Sequence, residues 1–174
     1  DLAERNGGIA LYMDRNLAEG YASNALMQYV FFQSDPQEIL DLLQEAVLLR
    51  PSYDYAFHLM GKVYYDLGDF EMASNYFDLA VKLNPDDFQN LRMQAKAVLA
   101  KGNNREARKL VAKISKKYPN LPQTKIDLAS FYLATDDKNK LHKLLTEIPN
   151  GFNQKLITLE EYIKDHDFEK AENL

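Results

Sequence analysis

Pro51, Pro85 and Pro119 stand 34 residues apart, and the residues between them repeat in kind. Each proline follows apolar residues at helical spacing: Ala46 and Leu49, Ala80 and Leu83, Ile114 and Tyr118. That is where a helix is expected to stop, because proline lacks the backbone donor and its ring clashes with the preceding turn. A period of about 34 with two helical stretches per unit is the signature of a helical solenoid, in which each unit buries its apolar face against its neighbours. No stretch alternates as a strand would. The spacing alone therefore argues for an all-α fold.

The middle unit is the most regular. It reads Phe57, Met60, Gly61, Tyr64, Gly68, Phe70, Ala73, Phe77, Ala80, Leu83, Pro85. Gly61 and Ala73 are small where two helices would cross closely, and Phe57, Tyr64, Phe70 and Phe77 would fill the space around them. Gly68 and Asp69 supply a turn that ends one helix and caps the next. This pattern resembles the tetratricopeptide repeat, in which a large residue, a Leu-Gly pair and a Tyr mark the first helix, and Ala, an aromatic and Ala mark the second. The resemblance implies a right-handed superhelical solenoid of antiparallel helix pairs, about four to five repeats long. It covers nearly the whole chain and is densest over residues 53–119.

One period on, Leu91, Ala95, Val98, Gly102, Ala107, Val111 and Ile114 keep the small and large places but replace aromatics with aliphatics. Two periods on, Leu128, Ala129, Tyr132, Leu145 and Ile148 fit, while Leu141 falls where a small residue is expected and implies a distorted pairing. Asp167–Ala171 echoes Asp69–Ala73 and restarts the frame near Phe152, about four residues early. Backwards, Ile39, Leu43 and Ala46 match the second helix; Ala25 matches Gly61 if the turn around Ser34-Asp35-Pro36 holds two extra residues. Ala3, Ala10, Met13 and Asp14 read as the end of an earlier repeat. Helices are thus expected at about 2–13, 17–32, 36–49, 53–67, 70–83, 88–101, 104–118, 123–135, 138–148, 153–165 and 168–174. The organisation expected is one solenoid over 1–174, with repeats at about 17–51, 53–85, 87–119, 121–150 and a partial one at 152–174, and with 1–15 closing a preceding repeat. Solenoids normally carry polar capping helices and none is obvious, so the chain reads as a piece of a longer protein.

At 174 residues and 46% apolar the chain is long enough to bury a continuous core. It has no cysteine and therefore no disulfide framework, and no apolar run approaches the length of a membrane span. Cytoplasmic and periplasmic homes are both compatible with this composition. The net charge of −5 conceals a segregation. Residues 1–87 hold five Lys/Arg against fifteen Asp/Glu, residues 88–125 hold ten against one, and residues 126–174 hold six against ten. Within the basic band, Ala107, Leu110, Val111 and Ile114 would point inward, leaving Arg105, Arg108, Lys109, Lys113, Lys116 and Lys117 on the outer face. A solvated face accounts for such a pattern; an acidic partner, or self-association against the acidic first repeats, accounts for it as well. Nucleic acid is disfavoured by the acidic total and by the scarcity of exposed aromatics beside the basic helix.

In the family that the chain resembles, the first helices line a concave surface that holds peptide segments. Carried over in frame, the inward places here are Glu19, Ala22, Leu26 and Tyr29; Tyr55, His58, Lys62 and Tyr65; Gln89, Arg92, Lys96 and Leu99; Gln123, Ile126, Ser130 and Leu133. The second and third sets combine tyrosines, which give contact area at low entropic cost, with His58, Lys62, Arg92 and Lys96 as donors for carboxylates. They point to an acidic peptide or helix with an apolar anchor. The equally plain alternative is that the tyrosines cover neighbouring helices and the charges are solvated. The family's clamp for C-terminal carboxylates does not carry over. Its places are held by His58 and Lys62, then Met93, then Gln123 and Asp127, and Asp127 would repel the ligand.

Catalysis finds little footing. His58, His142 and His166 are the only histidines and none has metal-ligand spacing; no metal or cofactor is implied. Asp54, His58 and Lys62 share a helical face, which an i,i+4 charge ladder explains without chemistry. Gly7-Gly8 is an isolated pair rather than a phosphate loop, and Asp165-His166-Asp167 occupies a turn where polar residues belong. Two functional expectations remain. One is a non-enzymatic scaffold that takes a protein or peptide partner on the concave face. The other is a self-association or regulatory module of a larger protein, since Leu17–Ala22 resembles repeats appended to bacterial regulators and envelope scaffolds.

Overall fold

The computed structural model describes residues 17–32 and 34–146. The helices expected at 2–13, 153–165 and 168–174, the repeat fragments at 1–15 and 152–174, and His166 lie outside the described residues. Among those described the chain is entirely helical. The elements are α1 (Ala18–Met27), which continues as a π-helical turn (Gln28–Phe32), α2 (Pro36–Leu49), α3 (Asp54–Asp66), α4 (Phe70–Leu83), α5 (Phe88–Ala100), α6 (Asn104–Lys117), α7 (Pro122–Ala134) and α8 (Lys138–Thr146). The described helices begin and end within two residues of the positions read from the sequence, save that the end expected for the last of them at 148 lies outside the described residues.

The period reappears in the backbone. Gly68 and Gly102 end α3 and α5 with φ of 78° and 85°, and Asp136, one more period on, has φ of 52° after α7. The residue that follows each of these caps the next helix. Asp69 Oδ1 accepts from the Met72 amide at 3.0 Å, Asn103 Oδ1 from that of Glu106 at 3.2 Å, and Asp137 Oδ1 from that of Lys140 at 3.4 Å. Asp35, one period before Asp69, accepts from the Gln37 amide at 2.9 Å, with Pro36 at the first helical position where its missing donor costs nothing.

The described helices fall in two compact units, one ending at Lys101 and one beginning at Gly102. In the first, Ala22, Ala25, Leu43, Ala46 and Ala56 are completely buried and pack with Ile39, Leu40, Leu59, Met60 and Val63. A second cluster joins Ala73, Phe77 and Ala97, flanked by Tyr64, Tyr65 and Met93. At Gly61 the helices approach closely: a Cβ there would lie 2.7–2.9 Å from three atoms of the Phe77 ring. In the second unit Ala129, Leu141 and Leu144 are buried together, with Ile126, Leu128, Tyr132, Leu133 and Leu145 packed against them. Leu141 therefore places a full side chain in the core at the position where Ala73 and Ala107 hold only a methyl.

Two readings of the first repeat need correction. Ala22 does not line an exposed surface; it is fully buried between α1 and its neighbours. The turn at Ser34-Asp35-Pro36 caps α2 in the ordinary way, and the helix instead winds wide over Gln28–Phe32 before reaching it. A π turn takes up extra residues without leaving the helix.

Candidate functional site

α3 and α5 are the first helices of consecutive repeats and both belong to the unit that ends at Lys101. Their joint is a polar network. Asp54 Oδ2, in the first turn of α3, accepts from Asn84 Nδ2 at 3.1 Å and from Asn90 Nδ2 at 3.2 Å. Asn90 is buried, and its amide N–H donates to Asp87 Oδ1 at 2.7 Å, which caps α5. Asn90 Oδ1 then lies 2.7 Å from His58 Nδ1. The carboxylate only accepts, so it fixes the orientation of the amide; the amide oxygen only accepts, so Nδ1 of His58 carries the hydrogen. In the neutral ring Nε2 is then the acceptor.

Burial lowers the His58 pKa below the ordinary 6.5, and Lys62 lowers it further, while the Asn90 bond, Asp87 and Asp54 act in the opposite sense. His58 lies nearly parallel to Tyr55, with centroids 6.1 Å apart, and edge-on to Phe77 at 5.6 Å. The Asn90 bond and the two ring contacts hold the imidazole in a fixed orientation. Tyr55 beside it remains 38% exposed.

The other residues of the expected groove are present on the same two helices. Lys62 is half-buried and its ammonium lies 5.0 Å from the centre of the Tyr29 ring. The Tyr29 hydroxyl donates to Asp66 Oδ2; burial and this carboxylate raise the Tyr29 pKa. Tyr65 is half-buried, edge-on to Phe70 with centroids 5.2 Å apart, and burial raises its pKa. Arg92 and Lys96 are half-buried on α5, and Gln89 is exposed at its start. Leu26 of α1 and Tyr29 of the π-helical turn pack partly buried against the first core. Asn90 was not singled out from the sequence. It holds the place of Ala56 one period earlier and of Thr124 one period later, and all three are buried, which marks the position as core without naming its partners. A polar side chain at a core position asks for partners on neighbouring helices.

The basic face occupies α6 in the other unit. Arg105, Arg108, Lys109, Lys113 and Lys116 are all exposed, and Ala107, Val111 and Ile114 are buried beneath them. The Arg108 guanidinium lies 6.0 Å from the centre of the Phe131 ring. Among the described residues no group of three or more acidic or imidazole side chains is placed to hold a metal, and no helix is long and apolar enough to cross a membrane.

The family model of the tetratricopeptide repeat matches residues 54–87, which are α3, α4 and the turn after them. Residues 54–87 thus carry a tetratricopeptide repeat. Solved structures similar to it agree on the fold. A crystal structure of YrrB, described as a tetratricopeptide-repeat protein with an unusual peptide-binding site, is 14% identical over 80% of this chain and 70% of its own, with a TM-score of 0.65. TTC0263, a tetratricopeptide-repeat protein of Thermus thermophilus, is 22% identical over 75% of this chain and 72% of its own, with a TM-score of 0.66. A crystal structure of MamA is 25% identical over 63% of this chain, with a TM-score of 0.55; the match spans 58% of the MamA chain. Comparison with curated proteins finds no match. The expected all-helical, tetratricopeptide-like fold thus holds, with the helix pair α3–α4 as the repeat that the family model matches.

Proposed function

We propose that this tetratricopeptide-repeat chain is a non-enzymatic interaction scaffold whose surface on α3 and α5 takes an acidic peptide or helix bearing one apolar anchor. The observation that carries this reading is the His58–Asn90–Asp54 network, which ties α3, the helix of Tyr55 and Lys62, to α5, the helix of Arg92 and Lys96. Equivalent places in consecutive repeats, one period apart, make a continuous track for an extended ligand. The peptide-binding site in the description of YrrB is a property of that protein and lends support by likeness of fold alone.

Exposed ion pairs contribute roughly 0.2–1 kcal/mol each, so the cations alone would not hold a peptide. Tyr55, exposed in the first turn of α3, supplies the anchor contact. The test is selection of random peptides on the immobilised chain, followed by calorimetry against the Tyr55→Ala, Lys62→Glu, Arg92→Glu variant. Selected peptides are expected to be rich in Asp and Glu around one large apolar residue, and the variant to bind them about tenfold or more weakly, roughly 1.4 kcal/mol. Peptides without acidic bias, or equal affinity for the variant, would remove the groove.

A further inference from the structure

Two helices of the chain carry opposite charges in matching stripes. α2 shows Glu38, Asp41 and Glu45 to solvent at i, i+3 and i+7, and one turn further Leu48 is 73% exposed. From Asn16 to Leu49 the sequence contains no Lys, Arg or His, so α2 has no cation of its own. On α6, Arg105, Lys109, Lys113 and Lys116 stand exposed at i, i+4, i+8 and i+11. Its one acid, Glu106, is held at the N-terminus by Asn103 Nδ2 at 2.7 Å. Among the described residues no ion pair engages Glu38, Asp41 or Glu45, nor Arg105, Lys109, Lys113 or Lys116. At 1.5 Å per residue the acidic stripe, from Glu38 to Leu48, is about 15 Å long and the basic one about 16 Å.

We propose that the chain self-associates by laying α2 of one copy along α6 of another. Stable monomers intersperse the two signs over their surfaces, whereas here each sign is collected on a separate helix. A foreign acidic partner would account for α6 and leave the α2 stripe without a purpose; a second copy satisfies both with surfaces of equal length. The contact joins two different patches, so it is heterologous, and each copy keeps one stripe open unless the assembly closes. It involves neither α3 nor α5 and stands apart from the peptide surface.

The test is sedimentation velocity of the chain over about a fortyfold range of concentration, at low salt and at roughly 0.5 M salt, where charges beyond a few Å are screened. The expected result is concentration-dependent association at low salt that weakens at least tenfold at high salt. Two reversal variants are compared: Glu38→Lys, Asp41→Lys, Glu45→Lys, and Arg105→Glu, Lys109→Glu, Lys113→Glu. Each alone is expected to remain monomeric, since both of its stripes then carry one sign, and an equimolar mixture to associate again because each variant complements the other. Should either reversal lose helix by circular dichroism, the neutral set Glu38→Gln, Asp41→Asn, Glu45→Gln replaces it, with at least a tenfold loss of association expected. A monomer at low salt, a mixture that stays monomeric, or variants that associate like the parent would each overturn the proposal and leave the two stripes to other partners or to solvent.

Discussion

Gly61 and Phe77 form one unit of packing, and the chain contains its own controls. Phe77 is completely buried, so its ring cannot swing away from a methyl placed 2.7–2.9 Å from it. Gly61→Ala is expected to cost about 1–3 kcal/mol in urea denaturation, as overpacking does. The equivalent places elsewhere hold alanine with an aliphatic partner, Ala25 with Leu43 and Ala129 with Leu145, each pair within one core cluster. Adding Phe77→Leu to Gly61→Ala should therefore recover more than half of the loss; a double variant as unstable as the sum of its parts would mean that the two positions are not coupled. This pairing was legible from residue size alone. The His58 network was not. Its key member, Asn90, sits inside a helix whose apolar spacing marks it only as core, and hydrogen-bond partners 32 and 36 residues away leave no trace in local pattern.

Helix ends follow the period more strictly than helix faces do. Three consecutive intra-repeat turns place positive φ at Gly68, Gly102 and Asp136, and in each the next residue caps the following helix. Asp136 adopts with a Cβ what the other two adopt without one. Asp136→Gly is expected to raise stability by up to about 1 kcal/mol, read as a higher midpoint in urea at unchanged slope. A fall would mean that the Asp136 carboxylate, 3.6 Å from Lys138 Nζ, contributes more than the backbone strain costs. Turn chemistry was readable because Gly and Asp carry it in one or two residues. The π turn at Gln28–Phe32 was not, because an insertion in the sequence says that length was added and not whether a loop or a helix absorbs it.

At the scale of the molecule, stability is expected to vary along the array. α3 and α4 combine the Gly61–Phe77 contact, two core clusters and the Asp54 network, whereas among the described residues α8 packs in the small cluster around Leu141 and Leu144. Native-state hydrogen exchange should find α8 amides protected at least tenfold less than those of α3 and α4, about 1.4 kcal/mol of easier opening. Equal protection throughout would describe an array that opens only as a whole. The charge bands at this scale are plain in the sequence, but the division at Lys101 and Gly102 is not, since Gly102 and Gly68 share the same motif and backbone state while only one of them marks a boundary between compact units. The recurrence of these turns has one further consequence. A block of 34 residues cut at any of them begins and ends at a residue of positive φ followed by a cap, so whole blocks can be spliced in or out with every remaining cap still in frame, and the array can change its length without inventing a new joint.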